Sequence, residues 1–242
     1  MLERLGAGPV TDGERPIADA PAQDVTRMLA AEGLGAGLLA FLTVGAGLLA
    51  ERYSAGNIGL AILITGLSAA GGFAALARVM GDAAPSLFNP AFAFALVLSG
   101  RMPLASTLLA GAAQMAAACL GVMLAHMVTN TGLVQIATQI QSGVPVWTGE
   151  VIASALVMFV LLRLRAAGSR AEALFGGLGL LAVILATPSL STVNPAVTLA
   201  RGLTDSFTSI RLADAGLILA CQFSGALGAA LLSAWLFPKT SA

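Results

Sequence analysis

Six long apolar stretches, separated by short polar joints, run along this chain at about residues 28–50, 57–80, 103–128, 147–167, 171–188 and 213–237. Each is near the roughly 20 residues a helix needs to cross a bilayer's hydrocarbon. They predict six transmembrane helices. A shorter apolar stretch, about 10 residues and too short to span alone, follows the second and the fifth. Both short stretches open on the same tripeptide, Asn89-Pro90-Ala91 and Asn194-Pro195-Ala196. Asn is a strong helix N-cap and Pro fits the first helical position, so each copy reads as the first turn of a half-length helix. Irregular backbone at membrane depth is tolerated only when buried in protein or lining a wet cavity. Both half-helices therefore belong inside the bundle.

The tripeptide is one mark of a duplicated chain. Glu32, early in the first stretch within Ala31-Glu32-Gly33, is matched by Glu150, early in the fourth within Gly149-Glu150-Val151. Gln114 follows Asn89, and Gln222 follows Asn194, at similar distances. Repeats at about 28–128 and 147–237 hold three spans each. An odd number of spans inserts the second repeat upside down, and inverted repeats place their site near the midplane between them. The fold class expected is an all-α membrane protein of six transmembrane helices and two half-helices.

Composition agrees. Of 242 residues, 57% are hydrophobic and 10% charged, with no net charge, against the roughly 25% charged residues of a soluble domain. Nothing points to nucleic acid. Cys119 and Cys221 lie in apolar stretches and read as packing residues, and one histidine leaves no metal signature. Residues 1–27, with Pro9, Pro16 and Pro21 among scattered charges, predict a disordered cytoplasmic tail; residues 238–242 form a short second one. With the N-terminus inside, Arg4, Arg15, Arg27, Arg78, Arg101, Arg163, Arg165, Arg170 and Lys239 fall on the cytoplasmic side. Arg52, Arg201 and Arg211 fall outside. That positive-inside bias predicts cytoplasmic termini.

An N-capping Asn accepts backbone N–H groups with its side-chain oxygen and keeps its NH₂ for donation. Two such residues facing one another offer donors to a passing oxygen. Each half-helix N-terminus adds about half a positive charge, so cations meet a barrier where the two converge. Neutral molecules with oxygen lone pairs meet donors.

These elements resemble the aquaporin (major intrinsic protein) family. The matching residues are Ala31-Glu32-Gly33-Leu34-Gly35, Phe88-Asn89-Pro90-Ala91, Ala113-Gln114, Glu150 and Val193-Asn194-Pro195-Ala196. The resemblance implies a homotetramer of independent pores, set in membrane lipid, that conducts water or small neutral solutes without a cofactor or enzymatic activity. Localisation in the cell's inner membrane is expected.

The departures carry information too. Relatives usually have an Arg directly after the second tripeptide, in the outer selectivity filter; here that position is Val197. Aligned with the family, the other filter positions fall near Thr65 and Val183. Arg201, four positions past Val197, sits one helical turn farther out. Thr65, Val183 and Val197 predict a wider, less polar constriction, unless Arg201 swings back to close it. An i, i+4 pair between Arg201 and Asp205 is also expected. The run from Asn194 to Asp205 is similar to a bacterial branch of the family, some of whose members accompany arsenic-resistance genes. That adds arsenous acid to glycerol and water as candidate solutes.

Glu32 and Glu150 read either as a proton relay or as structural acceptors for the half-helix loops; the resemblance favours the second. His126, at the end of the third stretch, is expected near the outer surface. Two rival readings stand: a coupled secondary transporter, which also uses inverted repeats, and a non-conducting member plugged by Phe88, Phe92 or Phe94.

Overall fold

Helix starts and stops follow local chemistry. In the computed structural model, which describes residues 22–169 and 171–238, the order is α1 (Ala22–Tyr53), α2 (Ile58–Met80), α3 (Pro90–Leu98), α4 (Leu104–Thr129), α5 (Val144–Ala166), α6 (Glu172–Ala186), α7 (Pro195–Ala200) and α8 (Leu212–Leu236). A 3₁₀ turn, Arg201–Leu203, continues α7. The Asn57 side chain caps α2 by accepting the Leu60 N–H at 3.0 Å. Asn130 ends α4 in the left-handed conformation that suits a C-cap. A proline sits in the first turn of α5.

Several boundaries differ from the sequence expectation by a few residues, α7 among them with six residues before its 3₁₀ turn; two have a clear local cause. Helix α1 starts at Ala22 rather than near residue 28, with Asp24 in its first turn, where a negative charge complements the helix dipole. Residues 22–27 are thus helical, and the rest of the expected tail lies outside the described residues. Helix α6 has 15 residues and is shorter than α1, α2, α4, α5 and α8, the five helices among the described residues that are long and apolar enough to cross a membrane. It stops because Thr187 is extended, at φ −119° and ψ 142°, the conformation the following Pro188 imposes.

The packing repeats across the two halves. Helix α1 lies against α4 and α2, and α5 lies against α8 and α6. Each half-helix also reaches across: α3 contacts α8, and α7 contacts α4. Large apolar side chains such as Leu108, Leu120, Ile152, Leu178 and Leu231 stand exposed on the outside, while Glu32, Gln114, Glu150 and Gln222 are wholly buried. That inside-out distribution fits lipid as the surrounding solvent.

Close backbone approach locks α1 to α4 and α5 to α8, and small residues permit it. A Cβ on Gly37 of α1 would come within 2.9 Å of the Ala117 carbonyl oxygen. Gly121 of α4 is closer still, a Cβ there falling 2.0 Å from the Gly37 carbonyl oxygen, and in the second repeat a Cβ on Gly225 of α8 would lie 2.5 Å from the Val151 oxygen and 2.8 Å from the Ala155 nitrogen. Ala117 and Gly225 each stand three residues past the glutamine of their repeat. Gly225→Ala should therefore lose about 1–3 kcal/mol to overpacking, read as a lower melting temperature in detergent. Gly228→Ala, where a Cβ meets open space, should melt no lower than wild type.

Candidate functional site

The two half-helices begin alike. Asn89 (φ −137°, ψ 112°) and Asn194 (φ −135°, ψ 107°) are both extended N-caps followed by a proline. The Asn89 Oδ1 accepts the N–H groups of Ala91 at 2.9 Å and Phe92 at 3.3 Å. The Asn194 Oδ1 accepts those of Ala196 at 3.0 Å and Val197 at 3.5 Å. Each side chain thus orients itself with its oxygen and leaves its NH₂ free to donate.

Those amides reach across the repeat boundary. Asn89 Nδ2 donates to the Val193 carbonyl at 2.9 Å, and Asn194 Nδ2 donates to the Phe88 carbonyl at 3.0 Å. Phe88 and Val193 are the residues just before the opposite asparagine. The sequence predicts two facing amides that donate to a passing oxygen, and does not anticipate these cross-loop bonds. An NH₂ has two hydrogens; one on each side chain holds the two loops together, and one on each remains. Both asparagines are buried, Asn89 at 5% and Asn194 at 1% exposed.

These loops are strained. Leu87 (φ 49°) and Phe88 (φ 65°) in the first, and Leu190 (φ 51°) and Val193 (φ 46°) in the second, hold left-handed conformations without being glycine. Such residues cost of order 1–3 kcal/mol each and persist only where their surroundings over-determine them. The buried carboxylates supply that constraint. Glu32 accepts the N–H groups of Ser86 at 2.6 Å and Phe88 at 2.8 Å, and the Gln114 amide at 2.7 Å. Glu150 accepts the hydroxyls of Ser189 and, at 2.7 Å, Ser191, and the Gln222 amide at 2.9 Å. Gln114 also donates to Ser86 Oγ, and Gln222 to Thr198 Oγ1. The sequence reading missed the serines. A signal was present: Ser86 and Ser191 each stand three residues before the asparagine of their loop.

Arg201 does not pair with Asp205. Beyond Ala200 the helix tightens into the 3₁₀ turn, so the α-helical i, i+4 register is lost. Arg201 as a whole is 1% exposed. It donates Nε to the Thr208 carbonyl, Nη1 to the Leu190 carbonyl at 3.2 Å and Nη2 to the Ser189 carbonyl at 2.9 Å. Asp205 instead accepts the backbone N–H and hydroxyl of Thr138 at 3.0 and 2.8 Å. Those two bonds hold its carboxyl below the usual carboxylate range.

Residues 133–141 strap this turn down. The Gln135 and Ala137 N–H groups donate to the Leu203 and Gly202 carbonyls, and Arg211 N–H donates to Gln139. His126, in the last turn of α4, is wholly buried. Its ring nitrogens lie 2.9 Å from the Leu133 carbonyl and 2.9 Å from the Thr204 hydroxyl, tying the strap to the turn.

The remaining residues singled out in the sequence are also buried. Thr65 is 3%, Val183 4% and Val197 0% exposed, and the Thr65 hydroxyl is turned onto its own helix at the Ala61 carbonyl. Helices α2 and α6 meet beside them, where Gly66 faces Leu181 and Ile184. Phe88 and Phe92 are wholly buried, and Phe94 stacks edge-on against Phe223 at 5.6 Å. At the other end of the bundle from the strap, a cavity of about 740 Å³ is lined by Arg78, Asp82, Pro85, Arg165, Ser169 and Glu172, among others.

Inverted repeats, two half-helices joined end to end and a buried polar core that braces their loops define a membrane channel. The chain is 32% identical over 214 residues to the aquaglyceroporin AqpS of Rhizobium meliloti (strain 1021), covering 88% of this chain and 91% of that protein. Its fold matches the X-ray structure of the aquaglyceroporin from Plasmodium falciparum with a TM-score of 0.63 at 19% identity, covering 89% of this chain and 96% of that one. No family model matches. The chain belongs to the aquaporin (major intrinsic protein) family, whose members are channels and not enzymes.

Proposed function

We propose that this protein is a passive channel for water and small uncharged solutes of glycerol size, with arsenous acid among them. It works as a homotetramer in the cell's inner membrane, with both termini cytoplasmic. The observation that carries the reading is the reciprocal pair of bonds from Asn89 to Val193 and from Asn194 to Phe88. It holds two half-helix N-termini against one another and leaves each amide one further N–H for a solute oxygen. The two converging helix dipoles oppose cations.

Val197 takes the place of the usual filter arginine. Arg201 has three of its N–H groups committed to loop carbonyls, which supports a bracing role in place of a closing one. Thr65, Val183 and Val197 then set a wider and less polar constriction. Solutes with several hydroxyls, glycerol and the neutral triol arsenous acid, suit it. Glu32 and Glu150 each accept three hydrogen bonds from the loops and glutamines, which speaks for bracing and against the proton relay a coupled transporter would need.

Stopped-flow light scattering on proteoliposomes, with water, glycerol, urea and arsenous acid in parallel, tests this. Glycerol and arsenous acid should equilibrate about tenfold or more faster than through empty liposomes, as expected of a lined aqueous path. Water flux with no solute flux would contradict the widened constriction; no flux of any kind would favour the non-conducting reading.

A further inference from the structure

Each pore loop hangs between a buried carboxylate and an arginine. In the second loop Glu150 holds Ser189 and Ser191, and Arg201 Nη1 donates to the Leu190 carbonyl at 3.2 Å. In the first loop Glu32 holds Ser86 and Phe88, and Arg165 Nη1 donates to the Pro85 carbonyl at 2.6 Å. Pro85 stands four residues before Asn89, and Leu190 four residues before Asn194. Two arginines grip the same carbonyl of the repeat.

The duplication did not supply this match. Arg201 lies seven residues past Asn194, and the position seven past Asn89 is Leu96. Arg165 comes instead from the last turn of α5, in the other half of the chain. Two unrelated positions have arrived at one contact, which argues that the contact matters. The physical reason is the strain in both loops: left-handed Leu87 and Phe88 follow Pro85, and Leu190 is itself left-handed. Without a donor on that carbonyl, the loop has a route to relax.

Arg165 is itself held in place. Its Nε lies 3.0 and 2.9 Å from the two Glu172 oxygens, and both side chains are mostly buried. Its guanidinium carbon is 5.5 Å from the Phe92 ring centroid, within the half-helix that Asn89 caps. Arg165, Glu172 and Pro85 together wall the 740 Å³ cavity.

We infer that Arg165 is the positioning residue of the first pore loop, fixing Asn89 from the cytoplasmic side as Arg201 fixes Asn194 from the outside, with Glu172 holding Arg165 for that task. The placing of the two sides rests on the channel reading above. The inference makes the short α5–α6 joint a part of the pore: its position is transmitted to Asn89 through one carbonyl.

Hydrogen–deuterium exchange on the full-length protein tests it locally. In Arg165→Ala, peptides covering residues 82–92 should exchange about fivefold faster, the factor expected when one hydrogen bond's net contribution is lost. Peptides covering 187–198 should not change. Arg201→Ala should give the mirror pattern. Glycerol flux through Arg165→Ala should fall about fivefold with water flux less affected, because only the larger solute needs both asparagines in register. Arg165→Lys, which keeps a cation and a donor without the planar fork, should restore part of the protection. Unchanged exchange, or acceleration spread evenly along the chain, would overturn the inference. Should Arg165→Ala yield no folded protein, Glu172→Gln is expected to loosen the same peptides about twofold, and unchanged exchange there would overturn it equally. Failure of wild-type protein to conduct would sink the channel reading, while the exchange pattern would still decide this one.

Discussion

Glu32→Ala should leave little folded protein. The substitution removes the acceptor of the Ser86 and Phe88 N–H groups and of the Gln114 amide, all of them wholly buried residues. Hydrogen bonds to a charged group are worth about 1.5–3 kcal/mol each. Three of them approach the whole stability of a domain, about 5–15 kcal/mol. The two left-handed residues beside Asn89 would lose their constraint at the same time. Glu32→Gln keeps one acceptor oxygen but presents an NH₂ to a donor, so it should fall between alanine and wild type. Glu150→Ala should be milder. Two of its partners are serine hydroxyls, which rotate to other acceptors, whereas backbone N–H groups cannot. Size-exclusion yield and thermal melting of the three variants give the order. Glu32→Ala protein as abundant and as stable as wild type would remove the bracing account.

Val197→Arg should change selectivity more than any other single substitution. Val197 is wholly buried one turn into the second half-helix, with its N–H on the Asn194 oxygen. Arg201 is occupied by the Ser189, Leu190 and Thr208 carbonyls, so a second guanidinium has no loop carbonyl waiting for it and projects into the constriction. Glycerol flux should fall about tenfold and water flux about twofold, as expected when a long charged side chain narrows a polar pore. Parallel stopped-flow traces measure the ratio. Equal loss of both fluxes, or no change in either, would count against Val197 as a filter residue.

Much of this architecture was legible in the chain because its cues are local or periodic. Length and hydropathy mark the spans, and Asn-Pro marks a helix start whatever its surroundings. Glu32 and Glu150 stand out because a carboxylate in an apolar stretch needs partners. The cross-loop bonds were not legible. They depend on Leu87, Phe88, Leu190 and Val193 adopting left-handed backbone, which tertiary constraint imposes on residues whose own preference is otherwise. Arg201 was misread for a related reason: an α-helical register was carried past Ala200, where the chain tightens into a 3₁₀ turn. The early end of α6 could have been read from Thr187-Pro188. Arg165 gave no sign, since an arginine at a helix end beside a short joint looks like an ordinary positive-inside charge. Only the folded joint brings it to Pro85.

The central claim is that two half-helix N-termini, pinned by Asn89 and Asn194, form one path open to neutral oxygen-bearing molecules and closed to ions. Glycerol uptake and proton leak recorded together on the same proteoliposomes test it most directly. The account predicts glycerol uptake about tenfold above empty liposomes with the proton leak unchanged. A proton leak that rises in step with glycerol uptake, or protein-laden vesicles no more permeable than empty ones, would contradict it.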